Sequence, residues 1–146
     1  MSTNKSFFQL EDFFDDHFPD PGYYPCTITS ARFRRSSKGN RMLQVLFSLE
    51  GVDSCHQMLS DYFVLQGEQV TASGIYFARR RLVHLYNACR LFPSEGDPIV
   101  PSELLNSRLQ VRIDHQDWQG QRRLRVVAYR PLLPLLPIDP DQEISL

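Results

Sequence analysis

Two clusters of cationic side chains, far apart in the chain, are the residues of this sequence best suited to chemistry. The first surrounds the segment 36–40 and consists of Arg32, Arg34, Arg35, Lys38 and Arg41. The second follows Trp118, the only tryptophan, and consists of Arg122, Arg123 and Arg125. Cationic side chains bind phosphates, and an aromatic ring can stack on a base. A tryptophan in a polar turn has no evident place in a core, so the pattern indicates contact with nucleic acid.

Three aromatic residues in strand-like runs are further candidates for stacking, namely Phe33, Tyr62 and Tyr129. Stacking contributes about 1–3 kcal/mol per base and does not depend on which base it is. Each residue also has an ordinary structural role open to it. An arginine in a loop is commonly solvated, and an aromatic residue in a strand commonly belongs to the core.

The charge of the chain is distributed unevenly, although its formal net value is only -1. Residues 1–20 carry one lysine against five acids, and residues 139–146 carry three acids and no base. The segment 21–138 between them therefore has a net charge of +6. A basic body indicates an anionic partner, and acidic ends either avoid that surface or compete for it.

The sequence shows no signature of catalysis or of metal binding. It contains no GxSxG, HExxH or phosphate-binding glycine loop, and its four histidines fall in no ligand spacing. Its three cysteines, Cys26, Cys55 and Cys89, form no CxxC pair and stand in apolar runs, which indicates buried thiols in a reducing compartment. We therefore expect a binding protein that uses no cofactor and no metal.

Two other functions fit parts of the sequence. A nuclease would need carboxylates that converge on a metal ion, and the candidates are Asp53, Asp61, Asp114 and Asp117. A protein-interaction module that inhibits or recruits a host or phage protein would show its arginines dispersed around an apolar patch. A nucleic-acid binder would instead show arginines and aromatic rings together on one face.

The order of the predicted elements suits a binding barrel. Strand-like alternation over 23–34, 42–49 and 55–65 is followed by a helical pattern over 75–92, which Ser73 begins and Pro93 ends. Two more strands follow, over 109–114 and 123–129. The order β-β-β-α-β-β predicts a mainly β domain, a five-stranded OB-fold barrel with one main helix. In such a barrel the loops after strands 1 and 4 flank one groove, so we expect the two cationic clusters to converge there.

Within these elements the pattern predicts which side chains face the core. Leu43, Val45, Phe47 and Leu49 share one face of strand 2, and the phase in strand 1 slips after Ile28, as at a bulge. In strand 5, Leu124, Val126 and Ala128 should point one way and Tyr129 the other.

The ends of the chain differ from this body. Residues 1–20 predict an acidic, aromatic arm, residues 21–131 the OB-fold domain, and residues 132–146 a proline-rich, acidic tail. The arm either packs its aromatic residues on the barrel or lies over the binding face as a mimic of nucleic acid. Prolines at every third position from Pro131 to Pro140 favour an extended polyproline-like arm.

Part of the sequence also resembles a known family. The similarity covers about residues 19–131 and is carried by Pro21-Gly22-Tyr23-Tyr24, Ile28, Ala31, Ser37-Lys38-Gly39-Asn40, Met42-Leu43, Phe47, Arg81-Leu82 and Glu103-Leu104-Leu105. These motifs resemble small bacteriophage proteins that are encoded beside recombination and replication genes and are regarded as OB-fold binders of single-stranded DNA. The resemblance implies a phage or prophage accessory protein of replication or recombination that works in the cytoplasm of a bacterial host.

The C-terminal tail resembles the acidic peptide by which bacterial single-stranded-DNA-binding proteins recruit other replication proteins. It departs from that peptide at its end, where Ile144-Ser145-Leu146 replaces a proline-aromatic pair. The tail is therefore either a recruiting segment or a solubilising one. No apolar run approaches the ~18 residues of a membrane span, so we expect no membrane partner. The sequence leaves open whether the chain forms a homo-oligomer, and stacking does not distinguish DNA from RNA.

Deleting residues 139–146 is expected to tighten binding to single-stranded DNA. The deletion removes three negative charges, which would repel the phosphates of DNA or compete with them for the cationic side chains. Fluorescence anisotropy with labelled oligo-dT measures the change in Kd, and weaker binding after the deletion would contradict competition by the tail.

Overall fold

The computed structural model describes residues 18–52, 56–68 and 70–132. They form five antiparallel strands in one sheet and one long helix: β1 (Gly22–Arg35), β2 (Arg41–Leu49), β3 (Met58–Gln66), α1 (Ala72–Ala88), β4 (Arg108–Trp118) and β5 (Gln121–Pro131). A short 3-10 turn at Pro101–Leu104 precedes β4. The predicted mainly β class and the order of the elements are confirmed. Most of the predicted N-terminal arm and the tail after Leu132 lie outside the described residues.

The strand β1 lies at the centre of the sheet, whose order is β3-β2-β1-β4-β5. Its first half, Gly22 to Thr27, pairs with β4, and the part from Cys26 to Arg35 pairs with β2. The register shifts between Ile28 and Ser30, which confirms the predicted bulge. A bulge increases the local twist of a strand and bends it, so one strand can serve two neighbours in different directions.

The core is built from the alternate residues of each strand. Leu43, Val45, Phe47 and Leu49 of β2 are fully buried, as predicted, and so are Leu109, Val111 and Ile113 of β4. Burying one such side chain contributes about 1.5–3 kcal/mol, so this continuous set of apolar residues supplies most of the stability of the sheet.

The helix α1 begins earlier than its sequence pattern indicated. Thr71 is its N-cap, because the Thr71 Oγ1 accepts a hydrogen bond from the Gly74 N–H at 3.0 Å. Ser73, the predicted cap, already lies in the first turn. An extended backbone at Thr71 allows its hydroxyl to reach the free N–H groups of that turn.

The helix also ends earlier than predicted. Cys89 is the C-cap and Arg90 has a φ of 62°, so the chain leaves the helix before Pro93. Phe92, the last residue of the predicted helical pattern, is consequently outside the helix and 66% exposed. No helix in the described part of the chain is long and apolar enough to cross a bilayer.

In β5 the predicted alternation is correct for the first half and wrong for the second. Val126 pairs with Ile113 but Ala128 pairs with Arg112, so Val127 is an extra residue in β5. This irregularity reverses the phase, and Tyr129 turns toward the core while Ala128 turns away. The Tyr129 ring centroid lies 5.9 Å from that of Phe47.

The two edge strands meet through a partly buried polar cluster. The Asp61 carboxylate of β3 accepts hydrogen bonds from the Arg81 guanidinium of α1 and the Tyr129 hydroxyl of β5. Burial raises the pKa of Asp61 above its ordinary 3.8, against the lowering effect of Arg81 and of the hydrogen bond from Tyr129. The Arg81 guanidinium also lies 4.8 Å from the ring centroid of Phe63. The sheet is therefore curled, with its first and last strands joined.

Replacing Tyr129 with Phe is expected to lower the free energy of unfolding by about 1.5–3 kcal/mol, because the partly buried Asp61 carboxylate loses a hydrogen-bond donor. Replacing Asp61 with Ala should cost a similar amount, since it leaves Arg81 and Tyr129 without their acceptor. Urea unfolding measures both effects.

The control is Tyr76→Phe, the same change at a tyrosine that is 59% exposed on α1. It should alter the free energy of unfolding by less than about 0.5 kcal/mol. Equal effects at Tyr129 and Tyr76 would contradict this role of the cluster.

Candidate nucleic-acid interface

The sheet has an outer face, formed by the strand residues that alternate with the core residues. Strand register assigns each position, because residues paired across neighbouring strands point to the same side. Tyr23 is paired with Arg112, and Arg32 with Gln44, which in turn is paired with Tyr62. The outer face therefore runs continuously over all five strands, and β1 connects its two halves.

Three exposed aromatic residues stand on this outer face among arginines. Tyr23, Tyr62 and Trp118 are 37%, 44% and 47% exposed. The arginines on the same face are Arg32 and Arg34 of β1, Arg108 and Arg112 of β4, and Arg123, Arg125 and Arg130 of β5. A face of exposed rings between guanidinium groups is the composition that single-stranded nucleic acid binds.

On the β1–β2–β3 half of the face, hydrogen bonds order the side chains. The Arg34 Nη1 donates to the Gln44 Oε1 at 2.8 Å, and the Gln44 Nε2 donates to the Tyr62 hydroxyl at 3.1 Å. A guanidinium has five N–H donors, so Arg34 keeps further donors for a phosphate. The network holds a cation and a ring at fixed positions across three strands.

On the β1–β4–β5 half, two arginines stack on aromatic rings. The Arg130 guanidinium carbon lies 3.7 Å from the ring centroid of Tyr23, and that of Arg123 lies 4.6 Å from the ring centroid of Trp118. The Arg123 Nε also donates to the Gln116 Oε1 at 3.1 Å. Each pair presents positive charge directly beside an exposed ring.

The two predicted loops lie at opposite ends of β1. The basic turn, residues 36–40, follows Arg35, the last residue of β1. Because Ile113 is paired with Gly22, the end of β4 at Trp118 extends beyond the first residue of β1. A strand of this length spans about 45 Å when straight. The two turns therefore lie at opposite ends of the bent strand β1, and their convergence on one groove stays a prediction.

The geometry of the two turns also differs. In the basic turn the Gly39 N–H donates to the Ser36 carbonyl at 2.9 Å, and the Arg35 Nη1 donates to the Gly39 carbonyl at 3.3 Å. Arg35, Lys38 and Arg41 line a shallow hollow there. The β4–β5 turn has two residues with positive φ, Gln119 at 51° and Gly120 at 77°, as in a tight type I′ hairpin.

Several predicted residues are not on the outer face. Arg122 is on the opposite side of β5, where its guanidinium carbon lies 6.0 Å from the ring centroid of Phe18. Tyr129 packs on the core through the phase change in β5. Phe33 alternates with Arg32 and Arg34, pairs with buried Leu43, and therefore faces the helix side of the sheet.

The acidic residues of the nuclease alternative are dispersed. Asp61 is bound by Arg81 and Tyr129 inside the sheet, Asp114 is on the outer face and Asp117 is on the other side of β4. Asp53 lies outside the described residues. Within residues 18–52, 56–68 and 70–132, no group of three or more His, Cys, Asp or Glu could hold a metal ion.

The described cysteines are free and protected from ionisation. Cys26 is buried and Cys89 is half-buried. Burial raises the pKa of Cys26 to about 12 and that of Cys89 to about 11. Both therefore remain neutral thiols at physiological pH. The predicted burial is confirmed for Cys26 and in part for Cys89. Cys55 lies outside the described residues.

Sequence reasoning missed part of the face, namely Tyr23, Gln44, Gln110, Arg108, Arg112 and Arg130. The alternation in β4 carried the signal for Arg112, which stands between buried Val111 and Ile113. The sequence did not indicate that Arg130 lies on the outer face, because its orientation depends on the extra residue in β5.

Sequence comparison does not assign the chain to a family. No protein-family model matches it, and a search of curated proteins finds no match. The chemistry of the outer face is therefore the basis for inferring a function.

Proposed function

We propose that this protein binds single-stranded DNA, with little sequence preference, along the outer face of its sheet. The observation that carries the proposal is the placement of Tyr23, Tyr62 and Trp118, all exposed, among arginines on one continuous face. An interaction module would instead disperse its arginines around an apolar patch. The arrangement on this face favours the nucleic-acid binder.

Arginines would hold the phosphates of the bound strand. Among the described residues of this face, only Arg108 has an acidic partner within ion-pair distance, Glu50. Arg32, Arg112 and Arg125 are exposed and have no such partner in that part of the chain. Each phosphate contact releases condensed counterions, so binding weakens as salt rises, with a log-log slope of about -0.7 per contact for a single strand.

The exposed rings would select unpaired bases. A base can stack on Tyr23, Tyr62 or Trp118 only when it is not stacked within a duplex, and stacking tolerates any base. Arg130 and Arg123 bring a cation beside two of these rings, so that a stacked base and its phosphate would be bound together. This supports binding of single strands without sequence preference.

We further propose that the fold is an OB fold and that the protein acts in phage replication or recombination. Five antiparallel strands, a central bent β1 and a helix between β3 and β4 support an OB fold, in which the face of strands 2 and 3 and the loops after strands 1 and 4 bind oligonucleotides. The resemblance to phage single-stranded-DNA-binding proteins points to an accessory of phage replication or recombination in a bacterial cytoplasm. Its acidic tail would recruit partner proteins.

Replacing Trp118 with Ala is expected to weaken binding to oligo-dT by about 1–3 kcal/mol, because one base loses its stacking surface. Fluorescence anisotropy measures the Kd of both proteins at one salt concentration. Phe77→Ala is the control, since Phe77 is 58% exposed on α1, away from the outer face. An unchanged Kd for the Trp118 variant would remove this residue from the site.

The neighbouring residues Arg123 and Arg122 provide a matched test of which face of the sheet binds single-stranded DNA. Arg123→Ala is expected to make the salt dependence of binding shallower by about 0.7 in log-log slope, as one phosphate contact is lost. Arg122→Ala removes the same charge from the opposite side of β5 and should leave the slope unchanged. Titrations at several salt concentrations give both slopes. Equal losses for the two variants would show that the effect is one of net charge and would contradict binding by the outer face.

A further inference from the structure

The edge of β1 that faces away from β2 is paired over only half of its length. From Gly22 to Thr27 this edge pairs with β4. Ile28 is the next residue on it: its N–H donates to the Ser107 carbonyl at 3.0 Å, and its carbonyl accepts from the Asn106 N–H at 2.9 Å. In the part of the chain that the structure describes, β1 beyond Ile28 has a strand neighbour only on the β2 side.

The β1–β2 turn shows which backbone groups point to the unpaired side. The Ser36 N–H donates to the Asn40 carbonyl at 2.9 Å, so Ser36 directs its backbone groups toward β2. In an antiparallel ladder this direction alternates along the strand, so Ala31, Phe33 and Arg35 direct their N–H and C=O groups away from β2. No backbone hydrogen bond from another described residue reaches these three groups from that side. We refer to the unpaired backbone of these three residues as the open edge.

The side chains above and below the open edge differ in chemistry. On the helix side, Phe33 is 46% exposed and lines an apolar groove together with Leu65 and Leu82. On the outer face, Arg32 and Arg34 are both exposed. Unpaired strand edges accept a further strand, whose side chains alternate between the two sides. A strand that fits here therefore carries apolar residues on the Phe33 side and acidic residues on the side of the two arginines.

A second copy of this chain does not meet this requirement. If two β1 strands paired antiparallel about Phe33, Arg32 of each copy would lie opposite Arg34 of the other. A pairing centred on Arg32 would place the two copies of that residue opposite each other. Like charges directly opposite across two strands are destabilising, whereas a carboxylate opposite a guanidinium forms a charge-assisted pair. The charge of the edge thus favours a partner strand of opposite sign.

We propose that the open edge binds an extended segment of another protein in which acidic and apolar residues alternate. The segment would exchange backbone hydrogen bonds with Ala31, Phe33 and Arg35, with its apolar side chains beside the Phe33 ring. Its carboxylates would lie opposite Arg32 and Arg34. In such strand addition the main chain supplies affinity and the alternate side chains supply specificity. This assignment does not depend on the binding of nucleic acid.

Amide hydrogen exchange of the full chain, followed by NMR, tests whether the edge is open. The N–H groups of Ala31, Phe33 and Arg35 should exchange faster than those of Arg32 and Arg34, which point toward β2. Slow exchange of the first three in dilute protein would show that the chain itself covers the edge. Protection that grows with protein concentration would show that a second copy does. Either result would overturn the proposal.

A blocked six-residue peptide of alternating valine and glutamate is the probe for the partner strand, and a valine-lysine peptide of the same length is its control. NMR titration should give saturable binding of the glutamate peptide and slower exchange of the Ala31 and Phe33 amides. Each cross-strand charge pair changes Kd by about 1.4- to 5-fold, so the lysine peptide should bind more weakly. Equal affinities of the two peptides, or shifts confined to other surfaces, would contradict the assignment.

Reversing one charge tests the pairing directly. Arg32→Glu should raise the Kd of the glutamate peptide by about 2- to 30-fold, because an attractive pair becomes a repulsive one, and should make the lysine peptide the better ligand. The matched control is Arg80→Glu, the same change at an exposed position of α1, which should leave the preference between the peptides unaltered. A two-dimensional spectrum confirms that both variants are folded. Equal changes of Kd in the two variants would reduce the effect to net charge and overturn the proposal.

Discussion

The closure of the sheet depends on one partly buried carboxylate. Asp61 projects from β3 toward the core, and the helix and β5 reach it through Arg81 and Tyr129. Burial works against the charge of Asp61 and raises its pKa, while the donors around it lower that cost. Because the three groups come from three elements, the cluster fixes the helix against both edges of the sheet. An open five-stranded sheet thereby becomes a curled one with a defined outer face.

Two irregularities in the strands decide what this outer face contains. The bulge in β1 keeps Arg32 and Arg34 on the same side as Tyr23, although an unbroken alternation would separate them. The extra residue in β5 turns Tyr129 inward and Arg130 outward. Bulges change the side to which the following residues point. The same phase change therefore completes the Asp61 cluster and places a cation beside the Tyr23 ring.

The molecule divides its charged and apolar surfaces between separate regions. Arginines and exposed rings share the outer face, whereas an apolar groove lined by Phe33, Leu65 and Leu82 lies on the helix side. Phe33 faces away from its neighbours Arg32 and Arg34. One strand thus serves both surfaces through its alternate residues. A strand of nucleic acid on the outer face would therefore not contact the side chains that line the groove.

The local periodicity of apolar residues in the sequence determined the strands, the helix and most of the core residues. The alternation of Leu43, Val45 and Phe47 and the apolar stripe of α1 follow from periods of 2 and 3.6, which neighbouring residues alone specify. Register and phase come from pairing between distant strands, so only the tertiary structure decided that Tyr129 is internal and Arg130 external. For the same reason the sequence identified both cationic turns, but the pairing of β1 with β4 and β2 set them at opposite ends of that bent strand.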